Sequence, residues 1–236
     1  MIKKKLVLRN APRARTRHLE EALLFVMAIM LGPVIAHAQI ISGMVGVQGY
    51  LMPVDYGRVY QSKVGYSFSL EVATDAKRTG FAFRFTGGNK SYSSQTTSNG
   101  ADPVSRDFST SYWRLLGLVR PTISATEHST FYGLFGGYLQ NTVHTEVVRT
   151  YADGHLETLD PAKVDYTTGG GLRFGLGTRH TLSERWSFFF EGNIDFVLKV
   201  DHVEFTSHFG MGDHENLVDD RIAVGANVGI GYRLKQ

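Results

Sequence analysis

The sequence predicts an all-β fold, an antiparallel up-and-down transmembrane β-barrel of about eight strands, preceded by a cleavable signal peptide. Three observations predict it. Apolar residues recur with a period of two in segments of strand length, the links between segments alternate long and short, and no segment after residue 38 is long and apolar enough for a spanning helix.

The signal comes first in the chain. Seven basic residues lie between Lys3 and Arg17, an apolar run follows from Ala22 to Ile35, and Ala36-His37-Ala38 precedes Gln39. Charged region, apolar region and small-x-small site are the order of a secretory leader. The apolar run is shorter than the roughly 20 residues of a spanning helix, so cleavage after Ala38 is expected, leaving residues 39–236 as the barrel. The charge balance changes with that cut. Removing seven of the 25 Lys and Arg, and Glu20 and Glu21 of the 22 Asp and Glu, leaves 18 basic against 20 acidic residues. A net charge of +3 for the whole chain thus owes everything to the leader, and the remainder has no electrostatic basis for binding nucleic acid. There is no cysteine, which removes disulfides and thiolate sites.

Eight segments follow. The clearest is 186–200, where Trp186, Phe188, Phe190, Gly192, Ile194, Phe196, Leu198 and Val200 share one strand face, while Ser187, Phe189, Glu191, Asn193, Asp195, Val197 and Lys199 occupy the other. Successive side chains of a strand point to opposite faces, so this segment is greasy on one side and charged on the other; a helix mixes the two sets. Residues 221–234 and 166–178 repeat the pattern with glycine-rich second faces, and 64–72 and Phe81-Ala-Phe-Arg-Phe85 form two more strands. Segments 41–52, 111–120 and 130–140 are weaker, because Leu115-Leu116 and Phe131-Tyr132 blur the alternation. Links at 53–63, 88–109, 142–164 and 201–219 are long; those at 73–79, 121–129 and 179–185 are short. With both termini on one side, all long links fall on the other, as in outer-membrane barrels. Trp113 and Tyr166, with Tyr112, fall near one set of strand ends, and Trp186 and Tyr232, with Tyr132, near the other, where interfacial rings belong.

Leader, strand number, loop alternation and glycine-rich faces together resemble the small outer-membrane β-barrel superfamily. It includes the outer-membrane protein A transmembrane domain, the porin-opacity family and the Bacteroidota outer membrane protein beta-barrel family. The closing Val228-Gly-Ile-Gly-Tyr-Arg-Leu-Lys-Gln236 looks like that group's final strand, although Tyr232 stands in for a terminal aromatic. The resemblance implies a bacterial outer-membrane location, contact with outer-membrane lipids and lipopolysaccharide, and folding by the barrel-assembly machinery.

The lumen face collects Glu71, Arg84, Arg114, Arg173, Glu191, Asp195, Lys199, Arg221 and Arg233. Such charges are expected to pair, since an isolated ion away from water is costly. An ion-selective pore is the alternative. His202, Glu204, His208, Asp213, His214 and Glu215, with His144, Glu146, His155 and Glu157, offer imidazole and carboxylate without metal-site spacing, so no metal or other cofactor is expected. His128-Ser129 is one dipeptide without an orienting acid, and no enzyme is expected from it. The reading is a non-enzymatic barrel with a structural or surface-interaction role through long external loops, which offer room for an extracellular ligand or protein. A small porin is the first rival, and a lipid A-modifying enzyme is the second. The third is a soluble lipocalin-like barrel, in which the apolar faces turn inward.

Overall fold

Strict alternation of bulky apolar and small or polar residues can be satisfied in a closed sheet, where one face meets lipid and the other a narrow interior. A computed structural model describes residues 39–51, 58–74, 78–96, 104–158, 168–199 and 222–234. The leader over 1–38, Tyr166, Arg221 and the 201–219 link lie outside the described residues. The strands are β1 (Ile40–Leu51), β2 (Arg58–Lys63), β3 (Gly65–Ala73), β4 (Thr79–Thr96), β5 (Ser105–Ala125), β6 (Ser129–Thr150), β7 (Leu156–Thr158), β8 (Thr168–Thr181), β9 (Trp186–Lys199) and β10 (Ile222–Arg233).

Eight of them close a ring in the order β1, β3, β4, β5, β6, β8, β9, β10, with every neighbour antiparallel. The first and last strands zip together from Ile40↔Arg233 to Leu51↔Ile222. Closure removes both sheet edges, so every strand in the ring has two paired neighbours. β2 continues the line of β3 across Val64 on the same partner, β4, and β7 adds to the far end of β6. The Leu234 amide donates to the Gln39 carbonyl, so both described ends of the chain meet at one rim, called here the terminal end.

Orientation of the faces is unambiguous. Phe68, Leu70, Phe81, Phe85, Phe174, Leu176, Phe188, Phe190, Ile194, Phe196 and Ile230 are exposed on the outside, whereas Glu71, Arg84, Glu191 and Asp195 are at most 2% exposed. A lipocalin-like barrel has these sets reversed, so that arrangement is excluded.

Two expectations are corrected. Tyr112 and Tyr132, read as interfacial rings, are buried inside. Tyr112 shares parity with Arg114, and Tyr132 with Tyr138, and parity decides the face. The links at 88–109 and 142–164 are in large part strand, because β4, β5 and β6 run on for 18, 21 and 22 residues. β2 likewise occupies the second half of the 53–63 link. The polar outer face of these extensions had concealed them.

A narrow barrel has room for few large side chains per layer, and cross-strand pairing shows how the space is shared. Tyr138 lies opposite Gly171, Tyr132 opposite Gly177 and Tyr112 opposite Gly88. In each case a Cβ on the glycine meets the tyrosine ring or hydroxyl at 2.6–2.7 Å, so the ring takes the volume its neighbour leaves. With Leu116, Leu118, Leu134, Phe189, Ile40, Ala73 and Ala82, two of these tyrosines, Tyr132 and Tyr138, form an apolar core inside the barrel. Gly136 is tighter still, because a Cβ there collides with the Gly117 carbonyl of β5. Gly136→Ala is expected to displace that strand and cost about 1–3 kcal/mol, the usual range for overpacking. Heat-modifiability on electrophoresis reads it as a lower unfolding temperature; an unchanged midpoint contradicts the close approach.

Candidate functional site

Two clusters of ionised side chains cross the lumen. In the first, Glu71 on β3 sits opposite Arg84 on β4, and Arg84 donates from Nε and Nη2 to Glu71 Oε2 at 2.9 and 2.7 Å. The same Nη2 reaches Glu191 Oε2 of β9 at 2.6 Å. Arg120 of β5 closes the ring, donating from Nη2 to Glu71 Oε2 at 2.6 Å and to Glu191 Oε1 at 2.8 Å. Tyr132 supplies a hydroxyl to Glu191 at 3.0 Å and a ring 5.2 Å from the Arg120 guanidinium. Two cations and two anions thus neutralise one another across the width of the barrel. Ion pairs with charge-assisted hydrogen bonds are the form in which buried charge is tolerated.

The second cluster lies toward the opposite end. Arg173 and Asp195 face each other on β8 and β9, joined by bonds of 2.6 Å from Nε and 2.7 Å from Nη2. Arg114 reaches Asp195 Oδ2 from Nη1 at 2.7 Å and Gln140 from Nε at 2.6 Å, with its guanidinium over the rings of Tyr112 and Tyr138. Gln48 also donates to the Tyr112 hydroxyl. A cavity of about 10 Å³ adjoins this cluster, and one of about 40 Å³ lies at the terminal end beside Arg120 and Tyr132. The first cluster lies between them.

Six of the nine charges read from the sequence therefore come together in these clusters: Glu71, Arg84, Arg114, Arg173, Glu191 and Asp195. Lys199 ends β9 opposite Gly170, Arg233 ends β10 at the terminal rim and is part-exposed, and Arg221 is outside the described residues. Arg120, Tyr132 and Gln140 were missed. Arg120 shares the parity of Arg114 and was legible in principle, had the alternation been carried through Leu115-Leu116 to the end of the segment.

Of the interfacial aromatics, Trp113 faces outward against Phe85, with ring centroids 6.4 Å apart. Trp186 meets Tyr232 edge-on at 5.0 Å on the terminal rim, where Arg185 donates to the Tyr232 hydroxyl at 3.0 Å. These rings border an outer face that is apolar on β5 from Ile123 to Trp113 and then turns polar through Ser111, Ser109, Asp107 and Ser105. β4 changes in step, from Phe85 to Asn89, Ser91, Ser93 and Gln95. At about 3.4 Å per residue, 21-residue β5 is about 70 Å long, or about 50 Å high at the tilt of about 45° usual in such barrels. The hydrocarbon layer is only about 30 Å thick. The extension retains an inward core, with Tyr92 stacked on Phe108 at 4.5 Å and Val147 buried. A register shift at Ser111/Tyr112 places both Val143 and His144 of β6 outside. Lys63 and Asp107 pair across the surface at 2.9 Å. At the β6–β7 hairpin, the Tyr151 hydroxyl donates to Glu157 at 2.7 Å, which, with Arg149, outweighs the opposing effect of burial and holds that carboxyl below its ordinary range. That contact stabilises the hairpin above the ordinary carboxylate range and is lost as pH falls through the depressed value.

Ser129 is joined to His180 rather than to the adjacent His128. Its hydroxyl lies 2.8 Å from Nδ1 of His180, its cross-strand partner, on the terminal rim. Among the described residues, no group of three metal-ligating side chains converges.

No protein-family model matches the chain, and no curated protein sequence matches it. Solved structures do. The outer membrane protein OprG from Pseudomonas aeruginosa superposes with a TM-score of 0.51 at 13% identity, over 85% of this chain and 98% of that one. The fold is that of a small outer-membrane β-barrel. Neisserial surface protein A gives 0.48 at 10% identity over 83% and 96%, and the attachment invasion locus protein Ail of Yersinia pestis gives 0.42 at 13% over 84% and 99%. At these identities the barrel architecture is what is shared; nothing about a ligand passes with it.

Proposed function

We propose that this barrel spans the outer membrane of a Gram-negative bacterium with its termini in the periplasm, and serves a structural or surface-interaction role through its extended end. Lipid and lipopolysaccharide surround the apolar belt, and the barrel-assembly machinery is its folding partner. The observation that carries this reading is the continuation of β4 and β5 beyond Phe85 and Trp113 as a paired sheet with a serine-rich outer face, with β6 still paired to β5 alongside. Paired strands on a rigid barrel hold a fixed surface above the membrane, and fixed surfaces lose little entropy on binding. The neutral cluster of Glu71, Arg84, Arg120 and Glu191 argues against the porin reading, since among the described residues it crosses the lumen between cavities of about 40 and about 10 Å³. The Ser129–His180 pair argues little for an enzyme: no carboxylate among the described residues hydrogen-bonds to His180, and both residues are at least partly exposed.

Replacing residues 90–109 with a two-residue Asn-Gly turn tests the proposal. The shortened chain is expected to keep its heat-modifiable band while cells carrying it lose adhesion or surface cross-links made by cells with the full chain. Equal adhesion and cross-linking by both rejects the surface role. In planar bilayers the full chain is expected to pass no steps of ion current; regular steps that change with Arg173 or Glu191 substitutions establish the porin instead.

A further inference from the structure

Taking the barrel to span the membrane as proposed above, we infer that the outer wall of the terminal rim holds a phospholipid headgroup by its phosphodiester, on donors presented by Arg185 and Tyr232. The height of this site follows from β9. Along its outward apolar row, from Trp186 to Leu198, the strand rises about 40 Å at about 3.4 Å per residue, or about 29 Å upright at a tilt of about 45°. The hydrocarbon layer has the same thickness, roughly 30 Å, so Trp186 stands at one of its borders. Arg185, one residue nearer the rim, stands at headgroup level.

The turn between β8 and β9 fixes that guanidinium. The amides of Leu182 and Ser183 donate to the Trp186 carbonyl, the Ser183 hydroxyl accepts from the amides of Arg185 and Trp186 at 3.4 and 3.2 Å, and the Arg185 carbonyl accepts from the Arg233 amide of β10 at 2.7 Å. The side chain is exposed yet anchored: Nη1 donates to the Tyr232 hydroxyl at 3.0 Å, and the Tyr232 ring meets Trp186 edge-on. Since the hydroxyl oxygen accepts there, its own proton is left to donate, beside the further N–H groups of the guanidinium fork. A phosphodiester is an acceptor-only anion whose oxygens suit such a fork. Glu184 beside Arg185 balances the charge of the turn, so placed donors rather than excess charge select the ligand. Leu182, Trp186 and Leu234, all exposed on this rim, offer apolar surface to the rest of a lipid, which free phosphate cannot use.

Native mass spectrometry of the full barrel in a non-ionic detergent reads the complex directly. With the same acyl chains, phosphatidylethanolamine is expected to bind one to one and about tenfold more tightly than a phosphate-free galactosyl diacylglycerol, the effect of one charge-assisted hydrogen bond. Arg185→Gln, and Tyr232→Phe, which keeps the ring against Trp186, are each expected to remove most of that preference. Arg78→Gln, at an exposed cation of the same rim, is expected to leave it intact. Equal binding of the two lipids overturns the headgroup site and leaves the membrane-spanning reading standing, as does an equal loss in Arg78→Gln. Displacement of the phospholipid by excess inorganic phosphate overturns the lipid as occupant. A barrel that takes up neither lipid and stays soluble without detergent removes the membrane-spanning reading itself.

Discussion

Glu191→Ala is expected to destabilise the barrel by about 3–5 kcal/mol, the cost of breaking a buried ion pair from one side. Glu191 is fully buried and receives hydrogen bonds from Arg84, Arg120 and Tyr132. Its removal leaves two guanidiniums on Glu71 and a tyrosine hydroxyl without its acceptor. Equilibrium urea unfolding in lipid, followed by the fluorescence of Trp113 and Trp186, measures the loss. The size of the result also separates two pictures of the lumen. A loss below about 1 kcal/mol is what solvated ion pairs give, and means that water enters and screens the cluster. A full loss that Arg120→Met largely restores in the double variant means a dry plug, since removing both charges leaves Arg84 and Glu71 as a neutral pair.

Ile194→Arg is expected to cost about 2–4 kcal/mol, the penalty for a cation near the middle of the bilayer. Ile194 lies in register with Phe174 on one neighbouring strand and Val224 on the other, all three exposed on the outer face. Ser109→Arg is the matched control. It is on the outer face of β5 beyond Trp113, in the extension, and a surface substitution there is expected to stay within about 0.5 kcal/mol. Unequal costs place the apolar belt in hydrocarbon and the extension in water. Equal, small costs mean that the outer face meets water throughout, and remove the membrane from the account.

The two experiments probe the same strand from opposite sides. Glu191 and Ile194 are three residues apart on β9, and the pleat alone sends one into the lumen and the other to the outer face. This is why the architecture was legible without coordinates. Residues 186–199 state both environments in one line of sequence, as do Gly169 to Gly177 and Ala223 to Gly231. Period two, strand length and alternating links are local properties, and local properties determined the all-β class and the eight crossing segments.

Alternation by itself has no inside or outside, so it required the closed ring to show that Glu191 and Asp195 face the interior. Strand ends were equally undecided, because a strand outside the belt no longer needs an apolar face; Ser91, Ser93 and Ser109 read as loop and proved to be ladder. Partnership within the lumen was decided last of all. Arg84 meets Glu191 across 107 residues and Arg120 meets it across 71, distances over which no periodicity carries information. The sequence by itself determined that the chain has two chemically distinct faces repeated eight times. Only the tertiary structure, by closing the sheet and setting its register, decided which charges meet, which tyrosine lies over which glycine, and where the barrel continues beyond the apolar belt.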